Sequence, residues 1–217
     1  MSRKRRSSRT AALLGLLTLY GGLAQASVLY TGTVSLLSTD PTQLGRLNRD
    51  GVIPDWSFEK DFPGVFNPTL TYHYEAISVF VPSWFPFLQI SIDSNSANIF
   101  ASAYDTSYNP NPIAANRGLD INYLGDEGAS ENFFGTSPRF FQVIDQTAAN
   151  SASGGTLIMV LNETVTNGGL DSPVGVVVEG FSDTGFNEVT PEPVSATLLG
   201  AGLLVLAVRY RRRGTNV

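Results

Sequence analysis

The sequence predicts an all-β domain, an antiparallel β-sandwich of jelly-roll-like form, and three observations lead there. Between residues 27 and 187, short runs rich in Val, Ile, Tyr, Phe and Thr recur, divided by clusters of Gly, Pro, Asn, Asp and Ser. Several of these runs alternate apolar with polar residues, the period of a strand with one buried face, and none has the 3.6-residue period of a long amphipathic helix. No helical crossover separates the runs, which favours antiparallel strands in two packed sheets. No internal repeat of 20–50 residues is present.

Residues 1–26 read as a secretory signal helix. Arg3, Lys4, Arg5, Arg6 and Arg9 form its charged start, residues 11–23 its apolar stretch, and Ala24-Gln25-Ala26 the small-x-small cleavage site. Cleavage is expected between Ala26 and Ser27, after passage through the Sec-type export machinery. Strands are then predicted near 28–37, 70–81, 87–93, 97–104, 119–124, 139–145, 156–164 and 174–182. In the second, Leu70, Tyr72, Tyr74 and Ala76 alternate with Thr71, His73 and Glu75, so the tyrosine face is expected inside and His73 on the surface. In the third, Leu88, Ile90 and Ile92 alternate with Gln89, Ser91 and Asp93. Residues 157–161 and 174–178 are apolar on both faces and suit central strands.

Two connections are long. Residues 38–67 hold Pro41, Gly45, Gly51, Pro54, Pro63 and Gly64, and residues 105–118 hold Pro110, Pro112 and several Asn. Loops of that length usually bind something or move. The body of about 160 residues is long enough for one core, which at this size buries about 70% of the surface of the unfolded chain. Cysteine is absent, so no disulfide staples the domain and no thiolate can act as nucleophile or ligand.

Charge divides the chain the same way. All 19 acidic residues lie between Asp40 and Glu192, against five basic ones in that stretch, so it carries −14 while the whole chain carries −5. A body this acidic repels nucleic acid and anionic headgroups, and nucleic acid is not an expected partner.

Residues 188–217 form the last segment. Thr190-Pro191-Glu192-Pro193 holds the backbone extended, because proline fixes φ and restricts the residue before it. Residues 194–208 are apolar except for Ser195 and Thr197. As a helix they span about 22 Å, short of a ~30 Å hydrocarbon core, and Tyr210 with the flanking arginines covers much of the difference. Arg209, Arg211, Arg212 and Arg213 act as a membrane stop on the cytoplasmic side. A C-terminal transmembrane helix is therefore expected.

This arrangement of Pro191-Glu192-Pro193, apolar span and arginine cluster resembles the PEP-CTERM sorting signal of exported proteins of Gram-negative bacteria. The resemblance implies an exosortase as partner, transient anchoring in the inner membrane, and delivery to the cell envelope or outside it, in bacteria that build exopolysaccharide and biofilm. A second resemblance covers most of the body. Tyr30-Thr31-Gly32-Thr33, Ser38-Thr39-Asp40-Pro41, Phe62-Pro63-Gly64, Asn122-Tyr123-Leu124-Gly125-Asp126, Phe140-Phe141 and Val160-Leu161-Asn162-Glu163 follow the order of exported bacterial domains of the pre-peptidase C-terminal type. That resemblance implies a sandwich that accompanies enzymes without being catalytic, although members often carry cysteines where this chain has none.

Catalytic signatures are sparse. His73 is the only histidine, which allows one base for a Ser-His-Asp triad and excludes a His-Glu-x-x-His zinc site. There is no phosphate loop and no Gly-x-Ser-x-Gly elbow. Asp126, Glu127 and Glu131 share a glycine-containing loop, read first as a solvated acidic loop. A carboxylate pair there could hydrolyse a glycosidic bond, and Asp126 with Glu127, or Asp105 with Asn109 and Asn111, could offer oxygens to Ca²⁺ without following EF-hand spacing. Trp56 and Trp84 are the candidate sugar contacts, against the commoner role of tryptophan in filling a core. Asn162-Glu163-Thr164 matches the glycosylation pattern, which a bacterial setting makes coincidental. The reading is an exported, non-catalytic envelope or matrix protein needing no cofactor. The alternative is a carbohydrate- or calcium-binding surface module.

Overall fold

The structure, a computed structural model, describes residues 26–130 and 139–182. Nine strands form two antiparallel sheets. In chain order they are β1 (Ala26–Ser35), β2 (Thr42–Leu47), β3 (Val65–Val81), β4 (Phe87–Ser94), β5 (Ile99–Asp105), β6 (Tyr123–Asp126), β7 (Arg139–Ile144), β8 (Gly155–Glu163) and β9 (Pro173–Phe181). One sheet runs β1-β9-β4-β7 and the other β2-β3-β8-β5-β6. The chain thus changes sheets repeatedly, and the last two described strands, β8 and β9, both lie in the interior of their sheets. A short helix, α1 (Gln146–Asn150), and a single 3₁₀ turn (Ala115–Gly118) complete the described elements. The expected all-β sandwich is what the described residues form. The expected signal helix and C-terminal transmembrane helix lie outside them.

The core fills the space between the sheets. Leu88, Ile90 and Ile92 of β4 face it as the alternation requires, with Val174, Val176 and Val178 of β9 and Phe141 and Val143 of β7. From the other sheet come Val79, Val81, Leu157, Met159 and Leu161. Each such side chain, fully removed from water, is worth about 1.5–3 kcal/mol.

Several expectations are corrected. In β3 the face turned to the core carries Ile77, Val79 and Val81, which share parity with His73 and Glu75. The tyrosine face points the other way, and Tyr72 is nevertheless 1% exposed. Arg46 and Asn67 reach its hydroxyl, and a second layer covers the neighbouring part of that face. Residues 105–122, with Lys60 and Phe62 of the 48–64 connection, pack over the outer face of the five-stranded sheet, where Tyr108 meets Tyr74 and Tyr104 at 5.2 and 4.6 Å between ring centroids; Trp56 of the same connection reaches the other sheet. Phe62 lies 5.6 Å from Tyr123 in an edge-on pair, and Phe100, Leu119 and Leu47 form a second buried cluster. The long connections therefore cover a sheet.

That layer explains the missed boundaries. The apolar Leu119 buries itself as an anchor of the covering loop, and β6 begins only at Tyr123. Within the expected loop 38–67 lies the strand β2, whose alternating pattern is interrupted by Gly45 at φ 74°, at the bulge between Leu44 and Arg46. Residues 157–161 are buried on both faces of the central strand β8, as expected. Those at 174–178 are central too, but only one face is buried; Gly175 and Val177 are partly exposed.

Asp145 starts α1 by accepting from the Ala148 N–H at 2.7 Å. It is fully buried, and its Oδ2 has no hydrogen-bond partner among the described residues. Burial pushes its pKa above the ordinary 3.8, opposed by the Ala148 N–H and assisted by nearby Asp105. A carboxyl that holds its proton more tightly when folded favours folding in acid, and that contribution is lost as pH rises through the folded pKa. The stability of Asp145→Asn relative to wild type should therefore increase between about pH 4 and pH 7 in urea titrations. A difference independent of pH would refute the assignment.

Candidate functional site

Two sets of buried ionisable side chains and one open sheet face hold the candidate chemistry. The first set lies where the covering loop 48–64 meets β6. Lys60 is 2% exposed in its side chain and donates to Asp126 at 2.6 Å, to Asp50 at 2.7 Å and to the Val52 carbonyl at 2.6 Å. Asp126, fully buried, also accepts from the Tyr123 hydroxyl and from the Gly128 N–H at 2.7 Å. Glu127, 1% exposed, accepts from the Ala101 N–H at 2.8 Å and stands near Arg49. Gly128, at φ 71°, lets the loop close in, since a Cβ there would come within 2.8 Å of the Val52 carbonyl.

Burial pushes the Asp126 pKa up, and Lys60 opposes the rise most strongly. Tyr123 is raised by burial and then by the Asp126 charge. The expected solvated acidic loop is corrected for these two residues: Asp126 and Glu127 are interior, because each meets a donor that the covering loop or a neighbouring strand supplies. Glu131 lies outside the described residues. For a Ca²⁺ ion, the Asp126 oxygens are already engaged by an ammonium, a hydroxyl and an amide. Among the described residues no group of three or more His, Asp or Glu side chains converges as a metal site needs. The oxygens of Asp105 accept from the hydroxyls of Thr106 and Thr147.

The second set is His73 with Glu163. His73 is not a surface residue: its side chain is 14% exposed, and its Nδ1 lies 3.0 Å from the fully buried Glu163 Oε2. The backbone N–H of His73 donates to the same oxygen at 2.9 Å, and the Gly169 N–H reaches Oε1 at 3.4 Å. Among the described residues no serine or threonine hydroxyl bonds to either side chain. A nucleophile–base pair of the triad type is thus not assembled there.

The open face is the outer surface of the four-stranded sheet. Register places Gln142, Gln89 and Glu179 side by side on β7, β4 and β9. Gln142 Nε2 donates to Gln89 Oε1 at 2.9 Å, and Gln89 Nε2 to Glu179 Oε2 at 3.3 Å. The neighbouring row holds Phe140, 53% exposed, beside Ser91 and Val177. The row on the other side holds Phe87 and Phe181, against which Trp56 packs edge-on at 6.2 and 5.1 Å, its indole N–H bonded to the Leu88 carbonyl at 3.1 Å. Trp84 stands apart in the β3–β4 turn, 63% exposed. Beside β7 opens a cleft of about 260 Å³ lined by Pro54, Phe58, Lys60, Tyr123, Gln142 and Gln146, among others.

Sequence reasoning missed Lys60, which reaches Asp126 across 66 residues with no local signal. It also missed the Gln142–Gln89–Glu179 row. Its sequence trace is the polar half of each alternating strand, but which strands are neighbours is not written locally. Of the signal residues, Ala26 and Ser27 open β1, while Ala24 lies outside the described residues. So do Pro191, Glu192, Pro193, Arg209, Arg211, Arg212 and Arg213, together with the apolar stretch 194–208. Among the described residues no helix is long and apolar enough to cross a membrane. No family model, curated protein or solved structure matches the chain.

Proposed function

We propose that this is an exported, non-catalytic protein of the bacterial cell envelope or extracellular matrix, sorted by an exosortase through Pro191-Glu192-Pro193. The observation that carries the reading is the ordered tail: an extended Pro-Glu-Pro segment, an apolar stretch at 194–208, and the arginines from Arg209 to Arg213. The signal-like residues 1–26 and a body of −14 support it, because the acidic part is then delivered away from the cytosol and from anionic lipid. The strand order β1-β9-β4-β7 against β3-β8-β5-β6, with β2 added beside β3, supports the jelly-roll variant of the sandwich. A structural role suits buried polar and charged side chains that find their partners within the protein, as Lys60 does with Asp126 and Asp50, and His73 with Glu163.

The partners in this reading are the Sec-type machinery, the exosortase, the inner membrane before processing, and exopolysaccharide afterwards. Intact mass of the protein from an exosortase-bearing Gram-negative host tests it. Wild type is expected to start at Ser27 and to end near Pro193, whereas Glu192→Ala keeps the arginine cluster and remains in the inner-membrane fraction. Wild type retaining residues 209–213 would reduce the tail to a plain anchor and end the sorting proposal.

A further inference from the structure

We propose that the outer face of the four-stranded sheet binds a neutral glycan along the row Gln142, Gln89 and Glu179. The inference is independent of how the tail is processed. The described elements leave this face uncovered apart from Trp56 at one end, whereas the outer face of the other sheet is roofed by its own loops. The uncovered face is also unusual in content. Three strands place two amides and a carboxylate in one line, already bonded to each other and so held in fixed orientations.

Those bonds use one N–H of each amide and one oxygen of Glu179. That leaves a second N–H on each amide, the Gln142 carbonyl and the other Glu179 oxygen as further donors and acceptors along the row. Vicinal sugar hydroxyls, each both donor and acceptor, match such a line. At ordinary strand spacing the row from Gln142 to Glu179 is roughly 10 Å long. Phe140 on one flank and the Phe87–Phe181–Trp56 group on the other supply ring surface for the apolar C–H faces of a pyranose. The cleft beside β7 continues the surface, because Gln142 belongs to both and Phe58, 42% exposed, lines the cleft wall.

Charge selects the kind of glycan. Glu179 and Asp93 lie on the face, and Asp55, Glu59 and Asp105 line the adjoining cleft. The nearby cations are turned elsewhere: Lys60 is held by Asp50 and Asp126, and Arg139 donates to the Ala129 carbonyl at 2.9 Å. A polyuronate or sulfated chain is repelled from such a surface, as is a nucleic acid.

Affinity electrophoresis of the full chain in detergent tests this, using gels that contain dextran, hydroxyethyl cellulose, galactomannan or alginate. At least one neutral polymer is expected to retard wild type, and alginate is not. Gln89→Ala with Gln142→Ala, and separately Phe140→Ala, should weaken retention about tenfold, the loss of roughly 1.4 kcal/mol of contact. Ile113→Ala, 93% exposed on the other side of the sandwich, should run as wild type. Unchanged melting temperatures confirm that the variants fold. The proposal is overturned if no neutral polymer retards the chain, if alginate retards it equally, if the row variants bind as wild type does, or if light scattering and cross-linking place this face between two copies.

Discussion

Replacing Lys60 by methionine is expected to destabilise the protein by about 3–5 kcal/mol at pH 7, because it strands a buried carboxylate. Asp126 is fully buried, and the Lys60 ammonium at 2.6 Å is the strongest influence holding its pKa down against burial. Without that cation the Asp126 pKa rises further. A carboxyl whose folded pKa stands above its unfolded 3.8 favours the folded state in acid and weakens it as pH rises through the folded value. The deficit of Lys60→Met should therefore be largest near pH 7 and above, and should shrink toward pH 4. Lys60→Met combined with Asp126→Asn should recover much of the loss, since no buried charge is then left alone. Urea titration at pH 4, 7 and 8 measures all three. A single variant within about 0.5 kcal/mol of wild type at pH 7 would mean that loop 48–64 is not fastened to β6 by this pair.

A second large effect separates two adjacent phenylalanines. Phe141 is 0% exposed and packs between the sheets, so Phe141→Ala should cost about 3–5 kcal/mol. Phe140, one residue earlier and 53% exposed, points to the opposite face, and Phe140→Ala should stay within about 0.5 kcal/mol. A typical domain holds only about 5–15 kcal/mol in total, so the first variant gives up a large share of it. Equal effects from the two would contradict the register of β7 against β4. The pair also separates stability from binding, because only Phe140 belongs to the proposed glycan face.

The β-strands were legible wherever one face alone is buried. In β4, Leu88, Ile90 and Ile92 alternate with Gln89, Ser91 and Asp93, and the period states both the element and its inward face. In β3 the same rule chose the wrong face. Tyr74 is packed under a covering loop and Tyr72 is held by Arg46 and Asn67, whereas Ile77, Val79 and Val81 face the core, and a strand covered on both sides has no single apolar phase. Leu119 misled in a similar way: an apolar residue anchoring a loop looks like part of a strand until the sheet beneath it is known.

The candidate site was less legible. Asp126 and Glu127 stood out as acidic neighbours beside a glycine, a pattern that usually marks a solvated turn. Their burial depends on Lys60, Tyr123 and the Ala101 N–H, which arrive from three other parts of the fold. His73 likewise became interior through Glu163, 90 residues away. None of these encounters has a local periodicity, because each is set by which strands and loops become neighbours.

By itself, the order of residues determined the strand-rich class, the acidic body, the want of any thiol, and the succession of prolines, apolar stretch and arginines in the tail. These are properties of composition and short-range pattern, which need no partner distant in the chain. Tertiary structure alone decided which face of β3 meets the core, that the long connections roof one sheet, that Asp126 is neutralised by Lys60, and that Gln142, Gln89 and Glu179 stand in a row. Each of those depends on long-range antiparallel register, and register is settled only when both sheets close over a common interior.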